Sequence, residues 1–190
     1  KADVLYRIAD AGAAGLIAGS FSCSHVRLWV KSGQQCGICT QCIDRRFAVL
    51  AAGLEAHDPE DGYQTDLLTG ERADGKDLVI AESFVLSARR FSKLTQTALF
   101  GRYGELLRVL PYLDGDMEKN ATQLFELYRR HGRNVVRVAN AALAETTLDA
   151  VLALPPTCLL SLLRSPGGFQ SEVLRDPVEL EPPARERAQA

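Results

Sequence analysis

The chain has 190 residues, 46% of them apolar, and a formal charge of -2. That apolar fraction supports a globular core and excludes a disordered or low-complexity composition. The near-neutral balance argues neither for nor against a polyanion partner, although residues 81–143, with ten basic and six acidic groups, are mildly basic.

Lys1–Ala11 has Val4, Leu5, Ile8 and Ala11 on one face and predicts a helix. The pattern starts at Lys1 without a capping residue, so we expect the chain to be a piece of a longer protein. Gly12, Gly15 and Gly19 break it, and Leu16-Ile17-Ala18 reads as a short apolar link, a candidate strand. Residues 24–35 read as a loop. Ile43–Leu54 predicts a helix with Phe47, Leu50, Ala51 and Leu54 inward. Residues 55–80, rich in Asp, Glu and Gly, predict a long ordered loop with a candidate short strand. Ala81–Phe100 predicts a helix with the stripe Phe84, Ala88, Phe91, Leu94 and Ala98, and Glu105–Leu110 a short one that Pro111 ends.

The longest periodic segment is Glu118–Ala144, with a seam of Leu124, Tyr128, His131, Val135, Val138 and Ala142. Its spacing alternates four and three, the pattern of a helix packed on other helices. Gly132 inside it costs about 1 kcal/mol against Ala and marks a place for a kink. Thr147–Leu154 and Thr157–Leu163 read as short helices around Pro155-Pro156. From Ser165 on, Pro, Gly and charge predict a flexible tail. No charged-then-apolar leader is visible, and Pro155-Pro156 cuts the longest apolar run, so the expectation is a cytoplasmic chain without a membrane partner.

Four of the five cysteines fall between Cys23 and Cys42. Cys36-Gly37-Ile38-Cys39-Thr40-Gln41-Cys42 places three thiols on a tight run, and Cys23 returns from the preceding loop. Four thiolates around one Zn2+ make a closed structural site. Gly37 suits the positive φ of a metal knuckle, and a helix start at Cys42 favours a thiolate. An iron–sulfur cluster also takes C-x2-C-x2-C, but Arg46 and Phe47 stand where a ferredoxin pattern continues with Cys and Pro. A redox pair Cys36–Cys39 and four unrelated buried cysteines remain as alternatives, and His25 is near enough to compete with Cys23. Cys158, in an apolar helix, reads as a core residue.

Outside the knuckle, Arg129, Arg130, Arg133 and Arg137 follow one helix, with Glu126 placed to pair with Arg130. A solvated, ion-paired face is the favoured reading over nucleic-acid contact, since no aromatics interleave. His131 on the seam reads as a core histidine. Arg45 is placed either to meet a substrate carboxylate or phosphate beside the knuckle, or to brace the acid-rich loop of Glu55, Asp58, Glu60 and Asp61.

The pattern Ser22-Cys23, then Cys36-Gly37-x-Cys39-x-x-Cys42-x-x-Arg45, then Ala52-Gly53 and Asp58-Pro59, resembles the C-terminal end of 7-cyano-7-deazaguanine synthases. Lys1–Ile8 resembles the helix that precedes the first cysteine there. The resemblance covers residues 1–63 and implies the following. The fold would be the end of a Rossmann-like α/β domain of the N-type ATP pyrophosphatase class, its N-terminal part absent. One structural zinc would sit on the four cysteines matching Cys23, Cys36, Cys39 and Cys42. The reaction would be an ATP-dependent ligation, in which 7-carboxy-7-deazaguanine is adenylated and converted, with ammonia, to the nitrile by way of the amide. The family's nucleotide loop, S-G-G-x-D-S, does not occur here, so the ATP site would lie mostly upstream. The long helical continuation resembles synthase-like proteins of antiphage cassettes.

The expected fold is therefore mainly α. Residues 1–80 end a synthase-like domain with a four-cysteine zinc knuckle, 81–164 form a helical extension, and 165–190 form the tail. The expected partners are the upstream segment of the same protein and a partner protein held through residues 81–164. The alternative function is a non-catalytic zinc-and-helix module that binds a protein or nucleic acid.

Overall fold

The structure, a computed structural model, describes residues 1–25, 34–73 and 75–164. The expected tail and the apex of the 24–35 loop lie outside those residues. Among the described residues the chain is mainly helical and forms no strand. An isolated parallel bridge joins Gln35 to Tyr63. No helix among them is long and apolar enough to cross a membrane.

Helix α1 spans Ala2–Asp10 and lies on α3, Thr40–Ala52. Between them, residues Gly15–Gly19 form α2, where the sequence predicts a strand. A three-residue strand has nothing to pair with here, whereas one helical turn buries Ile17 and leaves Leu16 outside. Helix α3 ends in a left-handed Gly53, whose N–H reaches Leu50 O while Leu54 N–H reaches Val49 O. That is the glycine stop the sequence predicts near this point.

The acid-rich loop holds two 3-10 turns, Glu55–His57 and Glu60–Gly62, and the bridge at Tyr63 takes the place of the expected strand. Helix α4 begins at Lys76, five residues before the predicted start, and runs to Lys93. Helix α5, Gln96–Arg102, then starts afresh. The predicted single helix over 81–100 is broken because the Thr95 hydroxyl oxygen accepts the Ala98 N–H, capping a new N-terminus.

Helix α6 is one continuous rod, Met117–Glu145, capped by Asp116 Oδ1 accepting the Lys119 N–H at 2.7 Å. The predicted kink at Gly132 is absent. A Cβ there would stand 2.3 Å from Ala88 O and 2.6 Å from Ser92 N, both backbone atoms of α4. Gly132 is the contact at which the two helix backbones meet. The buried face runs through Phe125, Gly132, Val135, Val136, Val138, Ala139 and Leu143; the predicted seam holds at Val135, Val138 and Ala142, while Leu124, Tyr128 and His131 are only half-buried.

Gly132→Ala is expected to lower the unfolding free energy by about 1–3 kcal/mol, the usual cost of overpacking, despite the better helix propensity of Ala. A urea melt measures it, and an unchanged midpoint would show that the helices have room.

Two short helices close the described chain, α7 at Leu148–Leu152 and α8 at Leu159–Arg164. Leu159, Leu160 and Leu163 of α8 and Cys158 enter one core with Ile43 and Phe47 of α3, Leu67, Val85 of α4 and Val135 of α6. Cys158 is thus a core residue, as its apolar setting predicts.

Candidate metal centre

The backbone turns that gather the cysteines follow from local sequence. Gly37 takes φ +77°, the left-handed value expected of a knuckle glycine. The Cys39 N–H points at Cys36 Sγ, and the His25 N–H at Cys23 Sγ, both at 3.4 Å. Helix α3 starts one residue after Cys39, so Cys42 lies in its first turn. Cys23, Cys36, Cys39 and Cys42 are all buried and form one cluster with Tyr63.

Ligand atoms of Cys23, His25, Cys36 and Cys39 lie within 4.8 Å of one another and are positioned to bind a metal ion. Cys42 Sγ lies beside them, 3.8 Å from Cys36 Sγ. That one separation matches the roughly 3.8 Å between two sulfurs held at about 2.3 Å by a tetrahedral ion, while His25, rather than the expected Cys42, completes the group of mutually close ligand atoms. The electrostatics fit a metal ion too. Burial pushes the Cys36 thiol up to about 11 and drives Cys42 higher. Burial also opposes ionisation of Cys39, but the Ser24 hydroxyl, the Cys42 N–H and the Ser24 N–H outweigh it and bring the thiol down to about 6. Crowded sulfurs cannot all carry charge unaided, and a divalent cation among them relieves that conflict.

Around the sulfurs lies a shell the sequence does not announce. Gln35 Oε1 accepts the Ser22 N–H at 3.2 Å and stands 3.9 Å from Cys42 Sγ. Its main chain pairs with the loop beyond, Gln35 N–H to Gly62 O and Gln64 N–H to Gln35 O, both at 2.9 Å. Tyr63 donates its hydroxyl to Asp58 Oδ2 at 2.7 Å, and burial pushes its pKa up. Neither Gln35 nor Tyr63 carries a sequence signal, because the two are brought together across a separation of 28 residues.

Arg45 is 6% exposed and braces the acid-rich loop. Its Nε and Nη2 donate to Asp58 Oδ1 at 2.9 and 2.7 Å, its Nη2 also to Ile17 O, and its Nη1 to Ser20 Oγ. The carboxylate it meets is therefore the chain's own. Arg46 donates to Asp58 O and to Glu60 Oε1.

Three of the four arginines of α6 have partners within the chain. Arg137 donates to Ala51 O, Arg130 pairs with Asp3 at 3.3 Å, and Arg129 pairs with Glu126 over the Phe125 ring. Glu126 thus takes Arg129 rather than the expected Arg130. His131 Nδ1 is 4.0 Å from Asp44 Oδ1. Burial pulls its pKa down further than Asp44 raises it. His131 also lines a concavity of about 250 Å³ between α4, α6 and the start of α3, walled by Phe84 and Phe91 with no carboxylate in its lining.

Beyond the shell, Asp66 holds the next loop. Burial alone would raise its carboxyl, but the Thr69 N–H and hydroxyl and the Leu68 N–H donate to it, and its pKa falls below the ordinary value. A carboxylate lowered by folding contributes stability above the unfolded pKa and loses it as pH falls through the folded one. Asp66→Ala is therefore expected to destabilise at pH 7, with the difference from the parent chain shrinking below about pH 4. Urea melts across that range measure it, and a pH-independent gap would rule the carboxylate out.

Compared with family models, with curated proteins and with solved structures, the chain matches none.

Proposed function

We propose that this chain is the zinc-holding end of a cytoplasmic, ATP-dependent deazaguanine synthase-like ligase. In this reading Cys23, Cys36, Cys39 and Cys42 hold a structural Zn2+, and His25 is the competing ligand. ATP and substrate bind mostly on an upstream segment of the same protein. One observation carries the reading: the residues of the motif meet one another. The four cysteines share a cluster, and Arg45 and Asp58, the charged motif positions beyond them, form a buried pair at 2.7 Å. Bound zinc would supply cross-linking, not chemistry, because a four-ligand site leaves no open position. What the chain's own residues do is close the domain end. Arg45 ties α3 to α2 and to the 55–63 loop, and Gln35 orders the turn before Cys36.

The test has two stages. Metal analysis and X-ray absorption of the purified protein should give one zinc per chain with sulfur at about 2.3 Å. Iron with visible absorbance would overturn the zinc assignment. The polypeptide including its upstream segment, given ATP, ammonia and 7-carboxy-7-deazaguanine, should then release AMP and pyrophosphate. A zinc-loaded protein that releases neither would overturn the ligase reading.

A second reading, a non-catalytic module that binds a partner protein through residues 81–164, is favoured by one feature. Leu107, Val109, Tyr112, Leu113 and Met117 form an exposed apolar corner, with Tyr112 87% exposed. Nucleic acid is the weaker partner, since three of the four clustered arginines are engaged within the chain.

A further inference from the structure

The knuckle and the last helix are far apart in sequence, yet one strap, residues 62–72, touches both. Its first end lies on the knuckle. Gln35 pairs with Gly62 and Gln64, and a Cβ on Gly37 would stand 1.8 Å from Thr65 O, so the two backbones are in direct contact. Its other end holds α8. The Leu160 N–H donates to Leu68 O at 3.0 Å, the Arg72 N–H to Thr157 Oγ1 at 3.4 Å, and Leu67 shares the core with Leu159 and Leu163.

Between these ends the strap is stiffened from inside. Arg72 is 2% exposed, and its side chain meets no carboxylate at ion-pair distance among the described residues. It donates instead to the strap's own carbonyls, Nη1 to Gly70 O at 3.0 Å and Nη2 to Leu67 O at 2.8 Å, while Nε finds no acceptor among the described residues. A Cβ on Gly70 would lie 2.6 Å from Asp66 N and O, so the turn is closed on itself. A buried guanidinium is costly, and here its hydrogen bonds fix the shape of residues 66–72.

We propose that this strap makes the docking of α8 depend on metal at the knuckle. The thiolates take their places around the ion only when it is bound. The turn at Gly37 then has the shape on which Thr65 lies, and the stiff strap carries that shape to Leu68 and Thr157. Helix α8 has six residues, too few to persist without tertiary support. Losing the metal therefore loosens α8 and uncovers Leu159, Leu160 and Leu163. The metal thereby controls an apolar surface more than 110 residues away in sequence from the last cysteine of the knuckle.

This inference rests on the zinc reading above, and the experiment separates the two. Amide hydrogen exchange is followed in the zinc-loaded protein, in the protein stripped with 1,10-phenanthroline, and in a zinc-loaded Arg72→Met variant. Stripping should speed exchange over 159–164 about tenfold or more, as expected for a local opening, and added zinc should reverse it. Arg72→Met should keep one zinc per chain yet exchange fast over 159–164 with the metal in place. Full protection of 159–164 in that variant would overturn the coupling, as would stripping whose effect stops at residue 42. Should stripping unfold the whole chain, no separate dependence of α8 on the metal exists and the coupling is overturned. A purified protein without zinc would overturn the metal reading instead.

Discussion

Cys39→Ser is expected to abolish stoichiometric zinc binding and to cost more stability than Gly132→Ala, Asp66→Ala or Asp58→Ala. Cys39 is 4% exposed, and its N–H donates to Cys36 Sγ, so it serves the site with both side chain and backbone. Structural zinc in small sites contributes on the order of 10 kcal/mol of apparent folding free energy. The segment that depends on it, residues 20–42, has little core of its own. Ile17 and Ile43 border it, and between them the buried apolar side chains among the described residues are the cysteines themselves. The α4–α6 pair has its own packing around Gly132, Val85 and Val135 and should keep its helicity. The expected result is thus a chain that stays largely helical by circular dichroism while its thermal midpoint falls by about 10 °C or more. Inductively coupled plasma mass spectrometry gives the metal content and a thermal melt gives the midpoint. A variant that keeps one zinc, or loses it at no cost in midpoint, would refute a structural role for the thiolates. His25→Ala serves as the comparison. If His25 is only a neighbour, zinc stoichiometry stays at one.

What the sequence made legible divides by range. The cysteine run, the positive φ at Gly37 and the glycine stop at Gly53 are local features, set by a few adjacent residues, and the structure has them where they are expected. Helices α1, α3 and α6 follow from periodicity. Errors arise where a short-range rule meets a longer-range one. The stripe through 81–100 continues in register across Leu94, so periodicity alone cannot see that Thr95 restarts the helix. Gly132 looks like a weak point within α6, because the backbone of α4 that it admits is invisible from α6 alone. The strap, Gln35, Tyr63 and Arg72 leave no sequence trace. Each is defined by partners brought together only in the fold. That Arg45 braces the acid-rich loop was legible as one of two readings, but which of its acids takes the charge, Asp58, depends on how α3 and the loop fold back on each other.

Asp58→Ala is expected to cost about 3–5 kcal/mol, the range for breaking a buried ion pair from one side. The carboxylate is the hub of the clamp beneath the knuckle. Oδ1 takes Arg45 Nε and Nη2, Oδ2 takes the Tyr63 hydroxyl, and Arg46 Nη1 lies 3.8 Å from Oδ2. All these side chains are nearly inaccessible: Arg45 is 6% exposed, Arg46 3%, Asp58 4% and Tyr63 7%. Deleting the carboxylate leaves two buried guanidinium groups without the charge they meet. The reverse deletion is milder. In Arg45→Met, Asp58 keeps Tyr63 and Arg46, and the methionine stem fills most of the vacated volume. The double variant Arg45→Met/Asp58→Ala should therefore be more stable than the sum of the two single losses predicts, with a coupling of about 1–3 kcal/mol. Denaturant melts of the four proteins, each checked for one zinc, give that coupling. If the losses simply add, Arg45 and Asp58 do not act as a pair, and what holds the 55–63 loop against α3 must be sought among Arg46, Glu60 and Tyr63.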